Sequence, residues 1–139
     1  MLDSVMLIDD NKHDNFFHEL AINDTGLAKS VVKYLSAEKA LAFLSEARDN
    51  HGSIPPLIFL DINMPGMSGW DFLEEYQKMP HQMQQRSLIV MLTTSCNPHD
   101  FERAKKEPVL KGFLNKALTS EMFHEVVTKN FVPKQNSIQ

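Results

Sequence analysis

Leu57-Ile58-Phe59-Leu60-Asp61 is an unbroken apolar run closed by an acid. A strand with one wet face would alternate. A run with no polar break reads as a strand buried on both faces, the signature of a parallel sheet. Pro55-Pro56 just before it bars a helix. The same grammar recurs along the chain. Met6-Leu7-Ile8 leads into Asp9-Asp10, Leu88-Ile89-Val90-Met91-Leu92 into Thr93-Thr94, and Gly112-Phe113-Leu114-Asn115 into Lys116. Ligands of open α/β sheets bind at the carboxyl ends of the strands. If the four runs are parallel neighbours, one site collects the carboxylates of Asp9, Asp10 and Asp61, the hydroxyl of Thr93 and the ammonium of Lys116. That set suits a divalent cation and a phosphoryl group.

Between the apolar runs lie segments with helical spacing. Strands are expected at residues 5–9, 30–35, 57–60, 88–92 and 111–114. Asn11 or Asp14 can cap a first helix with Phe16, Phe17, Leu20 and Ala21 on its apolar face. Ser36 caps a second helix carrying Ala37, Ala40, Leu41, Leu44 and Ala47, with Asn50 and Gly52 as its stop. A third starts near Ser68, buries Trp70, Leu73 and Tyr76, and closes at Met79-Pro80. A fourth begins at Pro98, a residue favoured in the first helical turn. A fifth opens at Thr119 and carries Met122, Phe123, Val126 and Val127. Five strand–helix units imply a mostly parallel sheet covered on both faces, with right-handed crossovers. The expectation is one α/β domain over residues 1–132, followed by a polar tail at 133–139.

Length and composition agree with one globular unit: 139 residues, 42% hydrophobic and 23% charged. A net charge of -4 without a basic block excludes nucleic acid as an expected partner. Cys96 is the single cysteine, so no internal disulfide and no thiolate metal site is expected. Met1-Leu2-Asp3-Ser4 lacks the basic start of a signal peptide, and no segment approaches the length of a membrane span. The expected compartment is the cytoplasm. His13, His18, His51, His81, His99 and His124 have no ligand spacing and read as surface or helix-face residues.

The acidic set has its own physics. Two unit charges 4 Å apart interact by about 4 kcal/mol at an effective dielectric near 20. Three neighbouring carboxylates therefore need a proton or a cation. A hard oxygen-liganded ion such as Mg²⁺ resolves the repulsion, since it binds through one or two carboxylates plus phosphate oxygens. Asp61 would then be deprotonated and nucleophilic, and carboxylates do form acyl phosphates in catalysis. Phosphoryl transfer spreads charge over three equatorial oxygens. Mg²⁺, Lys116 and the Thr93 hydroxyl would each take one.

At these residues the chain resembles the receiver domains of two-component response regulators, including stand-alone ones such as the chemotaxis regulator. The marks are Leu7-Ile8-Asp9-Asp10, the run from Leu60-Asp61-Ile62-Asn63-Met64-Pro65-Gly66-Met67 to Ser68-Gly69, Met91-Leu92-Thr93-Thr94-Ser95, and Gly112-Phe113-Leu114-Asn115-Lys116. The resemblance covers roughly residues 5–131. It implies a flavodoxin-like three-layer sandwich with a five-stranded parallel sheet in the order 2-1-3-4-5 and five helices. It implies that Asp61 accepts a phosphoryl group from a sensor histidine kinase or a histidine phosphotransfer protein, and that the chain catalyses only its own phosphorylation and dephosphorylation. Asp10, Asp61 and the backbone carbonyl of Asn63 would ligate Mg²⁺, with Asp9 reaching it through water. Thr93 and Lys116 would hold phosphoryl oxygens. Thr93 and Phe113 would form the switch, reshaping the face of the fourth helix, fifth strand and fifth helix where a downstream protein binds. Asn63 and Ser95 occupy the positions the family links to hydrolysis rate. The family usually has proline after the lysine; here it is Ala117, so the Lys116–Ala117 peptide can be cis or trans.

Two other functions are open to these residues. A phosphatase of the haloacid dehalogenase type also uses an aspartyl phosphate. Its nucleophile lies in an early Asp-x-Asp motif, whereas here the acidic pair comes first and Asp61-Ile62-Asn63 lacks the second acid. A receiver that binds partners without phosphorylation draws support only from Ala117.

Overall fold

Backbone hydrogen bonding turns the apolar runs into five short strands: β1 Val5–Ile8, β2 Val31–Tyr34, β3 Leu57–Leu60, β4 Leu88–Thr93 and β5 Leu110–Asn115. They lie in the computed structural model, which describes residues 1–49 and 52–131. The expected helix stop at Asn50, His51, the domain end at 132 and the tail at 133–139 fall outside the described residues. All pairings are parallel, in the order β2-β1-β3-β4-β5. The flavodoxin-like fold and strand order expected from the resemblance are therefore observed.

The helices are α1 Lys12–Thr25, α2 Ala37–Asp49, α3 Gly69–Tyr76, α4 His81–Gln84, α5 Pro98–Lys105 and α6 Ser120–Asn130. The five expected helices are all present, and α4 is an addition. Pro80, at φ -55°, starts this single turn. Gln84 Nε2 donates to the carbonyls of Gln77 and Met79, and Met83 anchors the turn in the core. One turn is too short to display a helical period, so sequence spacing alone does not reveal it.

Alternation along the strands divides the core in two. Met6, Ile8, Ile58, Leu60 and Met91 face α2 and α3, where Leu44, Phe72, Leu73 and Tyr76 fill the space. Val5, Leu7, Phe59, Val90 and Leu92 face α1 and α6, against Ile22, Phe123 and Val127. Each such fully buried side chain stabilises the fold by roughly 1.5–3 kcal/mol relative to exposure.

The face of α1 departs from expectation. Phe16, Phe17 and Leu20 are 52%, 60% and 50% exposed, while Asn15, His18 and Ile22 are buried. The inward stripe is 15-18-22, a run of i, i+3, i+7. Asn15 fixes it, because its Nδ2 donates to the Asp9 carbonyl at 3.0 Å. Hydrophobicity alone points to the wrong side of this helix. His18 is likewise a correction: it lies inside, beneath the site, and not at the surface.

Candidate functional site

The sheet register assembles the site. The Asp61 N–H donates to the Ile8 carbonyl at 3.0 Å, which sets Asp61 beside Asp9 across the β1–β3 pair. The Lys116 N–H donates to the Thr93 carbonyl at 3.0 Å, which sets Lys116 beside the end of β4. Residues far apart in the chain thus meet because each ends a neighbouring parallel strand.

One carboxylate oxygen from each of Asp9, Asp10 and Asp61 lies within 4.8 Å of the other two. Asp9 and Asp61 are buried and Asp10 is exposed, so the cluster opens to solvent on the Asp10 side. Asp9 Oδ1 accepts the Asn11 N–H at 3.0 Å, and Asp61 Oδ1 accepts the Ile62 N–H at 2.8 Å. These bonds orient both carboxylates and turn their other oxygens toward Lys116. Its ammonium lies 2.5 Å from Asp9 Oδ2, 2.9 Å from Asp14 Oδ2 and 3.2 Å from Asp61 Oδ2. The Lys116–Ala117 peptide is cis.

Asp14 is a site residue that sequence reasoning missed. It was a candidate helix cap, but Asn11 caps α1, accepting the N–H groups of His13 and Asp14. That leaves the Asp14 carboxylate free to reach Lys116. An acid in the first turn of the helix after the Asp9-Asp10 pair was the available signal.

Three carboxylates contact one ammonium and a fourth, Asp10, lies beside Asp9 and Asp61; burial and these contacts set the titration. Burial raises the pKa of Asp9 above its ordinary 3.8, and Lys116 and the Asn11 N–H only partly offset this. Burial alone would lower the pKa of Lys116. Its hydrogen bonds to Asp9 and Asp14, with the fields of Asp9 and Asp61, overturn that and hold it above the normal lysine range. His18 has its pKa lowered, by burial first and then by the charge of Lys116. The lysine is locked in its charged form, and the acids still lack a full counter-charge. The oxygen donors and the surplus of negative charge fit a hard divalent cation.

The loop after Asp61 is braced from below and from the side. Gly66, at φ 75°, makes a turn that an L side chain rarely adopts. The next residue, Met67, donates its N–H to Glu38 Oε2 of α2 at 3.2 Å. Gly69 donates to the Ile62 carbonyl at 2.8 Å, and a Cβ there would collide with the Asp61 carbonyl oxygen and with Ile62 Cα. Ser68 then caps α3 in a reciprocal box with Asp71. Asn63 is exposed within this loop and Met64 is buried.

Thr93 is fully buried, and its Oγ1 accepts the Ser95 N–H at 3.2 Å. Phe113, half-buried in β5, meets the exposed Phe101 edge-on, with centroids 5.6 Å apart. The expected site residues Asp9, Asp10, Asp61 and Lys116 are therefore brought together. Thr93 joins them through its backbone bond to Lys116, and Phe113 lies further along β5.

The family model described as response regulator receiver domain matches residues 5–128. Among curated proteins the chain is similar to response regulator Rcp1 of Synechocystis sp., 29% identical over 97 residues, or 69% of this chain and 65% of that protein. It thus spans a little under two thirds of the length of that curated relative. A two-component response regulator from Cytophaga hutchinsonii superposes with TM-score 0.85 at 28% identity, covering 92% of this chain and 96% of the other. A response regulator receiver protein from Dyadobacter fermentans gives TM-score 0.78 at 28% identity, over 91% and 95% of the two chains.

Proposed function

The chain belongs to the response regulator receiver domain family, and from that premise we propose that it accepts a phosphoryl group on Asp61 from a phosphohistidine. The single observation that carries this reading is the contact of Lys116 Nζ with Asp61 Oδ2 at 3.2 Å inside the acidic cluster. Asp61 Oδ2 attacks phosphorus, the P–N bond to the donor imidazole breaks, and the imidazole leaves with the electron pair. Lys116 follows the charge from the carboxylate onto the phosphoryl oxygens. The Thr93 hydroxyl donates to a second oxygen.

Asp10, Asp61 and the Asn63 carbonyl would hold Mg²⁺, with Asp9 behind them. When bound, the ion neutralises phosphate charge and the surplus of carboxylates. The donor in this reading is a sensor histidine kinase or a histidine phosphotransfer protein in the cytoplasm. No helix among the described residues is long and apolar enough to cross a membrane. The downstream partner is a protein that reads the face of α5, β5 and α6. Phe113 supports this, because it packs on the exposed Phe101, so a rotation of its ring would alter that surface. The phosphoryl group would favour one of two packings through its contacts with Thr93 and Lys116.

Mass spectrometry after incubation with acetyl phosphate and Mg²⁺ tests the reading. One added phosphoryl group is expected on the native chain, and none on Asp61→Asn or in excess chelator. A folded native chain that gains no mass from any donor would reject it.

A further inference from the structure

Thr93 is connected to a different part of the molecule by an unbroken chain of hydrogen bonds. The Ser95 N–H donates to Thr93 Oγ1 at 3.2 Å. The Ser95 hydroxyl donates to Asp100 Oδ2 at 2.6 Å and accepts the Asn97 N–H at 3.2 Å. The other oxygen of the same carboxylate, Asp100 Oδ1, accepts the indole N–H of Trp70 at 3.0 Å. Trp70 is buried at the start of α3, and the Arg103 guanidinium lies 4.5 Å above its ring while pairing with Glu74 of α3 at 3.6 Å. Asp100, in the first turn of α5, is thus a carboxylate on which the segment after β4 and the first turn of α3 converge.

We propose that Asp100 is a positioning residue for the switch hydroxyl, acting through Ser95, and that the same carboxylate carries the movement of Thr93 to Trp70. The inference rests on the phosphoacceptor reading of Asp61. Its first half follows from hydrogen-bond valence. A hydroxyl has one proton and two lone pairs. The Ser95 N–H occupies a lone pair of Thr93, so the Thr93 proton remains available as a donor, which is the role a phosphoryl oxygen requires. Ser95 can hold that N–H in place because its own side chain is anchored on Asp100. Its second half follows from geometry. Thr93 cannot advance toward a phosphoryl group without drawing the Ser95 backbone after it. Ser95 then pulls on a carboxylate whose second oxygen is bonded to the indole. A charged acceptor strengthens both bonds compared with a neutral one, and the Ser95 bond is short at 2.6 Å. Ser95 is also removed from the phosphoryl group by this anchoring, because its only hydroxyl proton is given to Asp100.

Trp70 is the sole tryptophan, so its emission reads this chain of bonds directly. The experiment compares the native chain with Ser95→Ala, Ser95→Thr and Asp100→Ala. Each is titrated with Mg²⁺ and beryllofluoride, an inorganic mimic of an acyl phosphate, while Trp70 emission is recorded. Acetyl phosphate labelling of each is followed by mass in parallel. The native chain is expected to label and to change its emission on loading. Ser95→Ala and Asp100→Ala are expected to label more slowly, by up to about a hundredfold, as displaced positioning groups do, and to lose the emission change. Ser95→Thr keeps a hydroxyl and restores both. If the native chain labels and Ser95→Ala matches it in rate and in emission change, the coupling is rejected while the phosphoacceptor reading stands. If Asp100→Ala labels slowly but keeps the full emission change, Asp100 acts only as a helix-terminal acid and the coupling is again rejected. A native chain that never gains mass on Asp61 overturns the phosphoacceptor reading, and the coupling falls with it.

Discussion

At the scale of single residues, the site is an unfinished electrostatic balance. Lys116 is one cation in contact with Asp9, Asp14 and Asp61, whose hydrogen bonds and fields raise its pKa, while burial raises that of Asp9. The pKa of Asp9 is raised by burial, so the fold without metal holds this proton more tightly than the unfolded chain does. A raised carboxylate lowers stability as pH climbs from the unfolded value through the folded one. Asp9→Asn is therefore expected to melt higher than the native chain at neutral pH without Mg²⁺. The gap should close as pH falls below the ordinary carboxylate range, and Mg²⁺ should raise its melting temperature less than it raises that of the native chain. Thermal melts from pH 4 to pH 8, with and without Mg²⁺, check this; a lower melting temperature for Asp9→Asn at neutral pH would contradict it. The lysine contributes with the opposite sign. Its pKa is raised, so its stabilisation is complete below the unfolded lysine value near 10.4 and fades only in strong alkali.

At the scale of elements, α1 is the instructive case. Its exposed aromatic residues and its buried Asn15 and His18 invert the usual rule for an amphipathic helix. Ile22→Ala should cost about 2–5 kcal/mol, the usual range for emptying a packed aliphatic site. Phe17→Ala should change stability by no more than about 0.5 kcal/mol, as expected at an exposed position. Urea unfolding of both variants checks the pair, and a reversed order would show the helix rotated. The loop before α3 shows the opposite behaviour. The helix start near Ser68 is readable because its signal is local, and the structure adds Gly66 at a positive φ and the small Gly69 against the Asp61 carbonyl. The face of α1 depends on what the Asp9 carbonyl needs, and no window along the helix contains that information.

At the scale of the whole molecule, parallel pairing makes a single pocket from strand ends spread over the chain. A ligand that binds only the folded pocket stabilises the whole domain. At a Mg²⁺ concentration of 100 times Kd the expected gain is about 2.7 kcal/mol. Differential scanning calorimetry over a Mg²⁺ series should give a melting temperature that rises with the logarithm of concentration once the site is filled. In Asp10→Asn the curve should stay flat. A native chain insensitive to Mg²⁺ would remove the ion from the proposed chemistry. In the proposed reading, one event at Asp61 would reach two surfaces, the α5–β5–α6 face through Phe113 and Phe101, and the α3–α5 seam through Asp100 and Trp70.

Sequence by itself determined the class of fold and the chemical identity of the pocket. Short continuous apolar runs alternating with helical spacing point to a parallel sheet covered on both faces, and each run ends in the residue it delivers to the site. Tertiary structure alone decided what those residues touch. Asp14 joins Lys116, Asn15 ties α1 to Asp9, and Asp100 holds Ser95 and Trp70 together, all across gaps in the chain. Local propensity and periodicity act over a few residues, whereas hydrogen bonds between packed elements depend on strand register and helix rotation, which exist only once the layers have closed on one another.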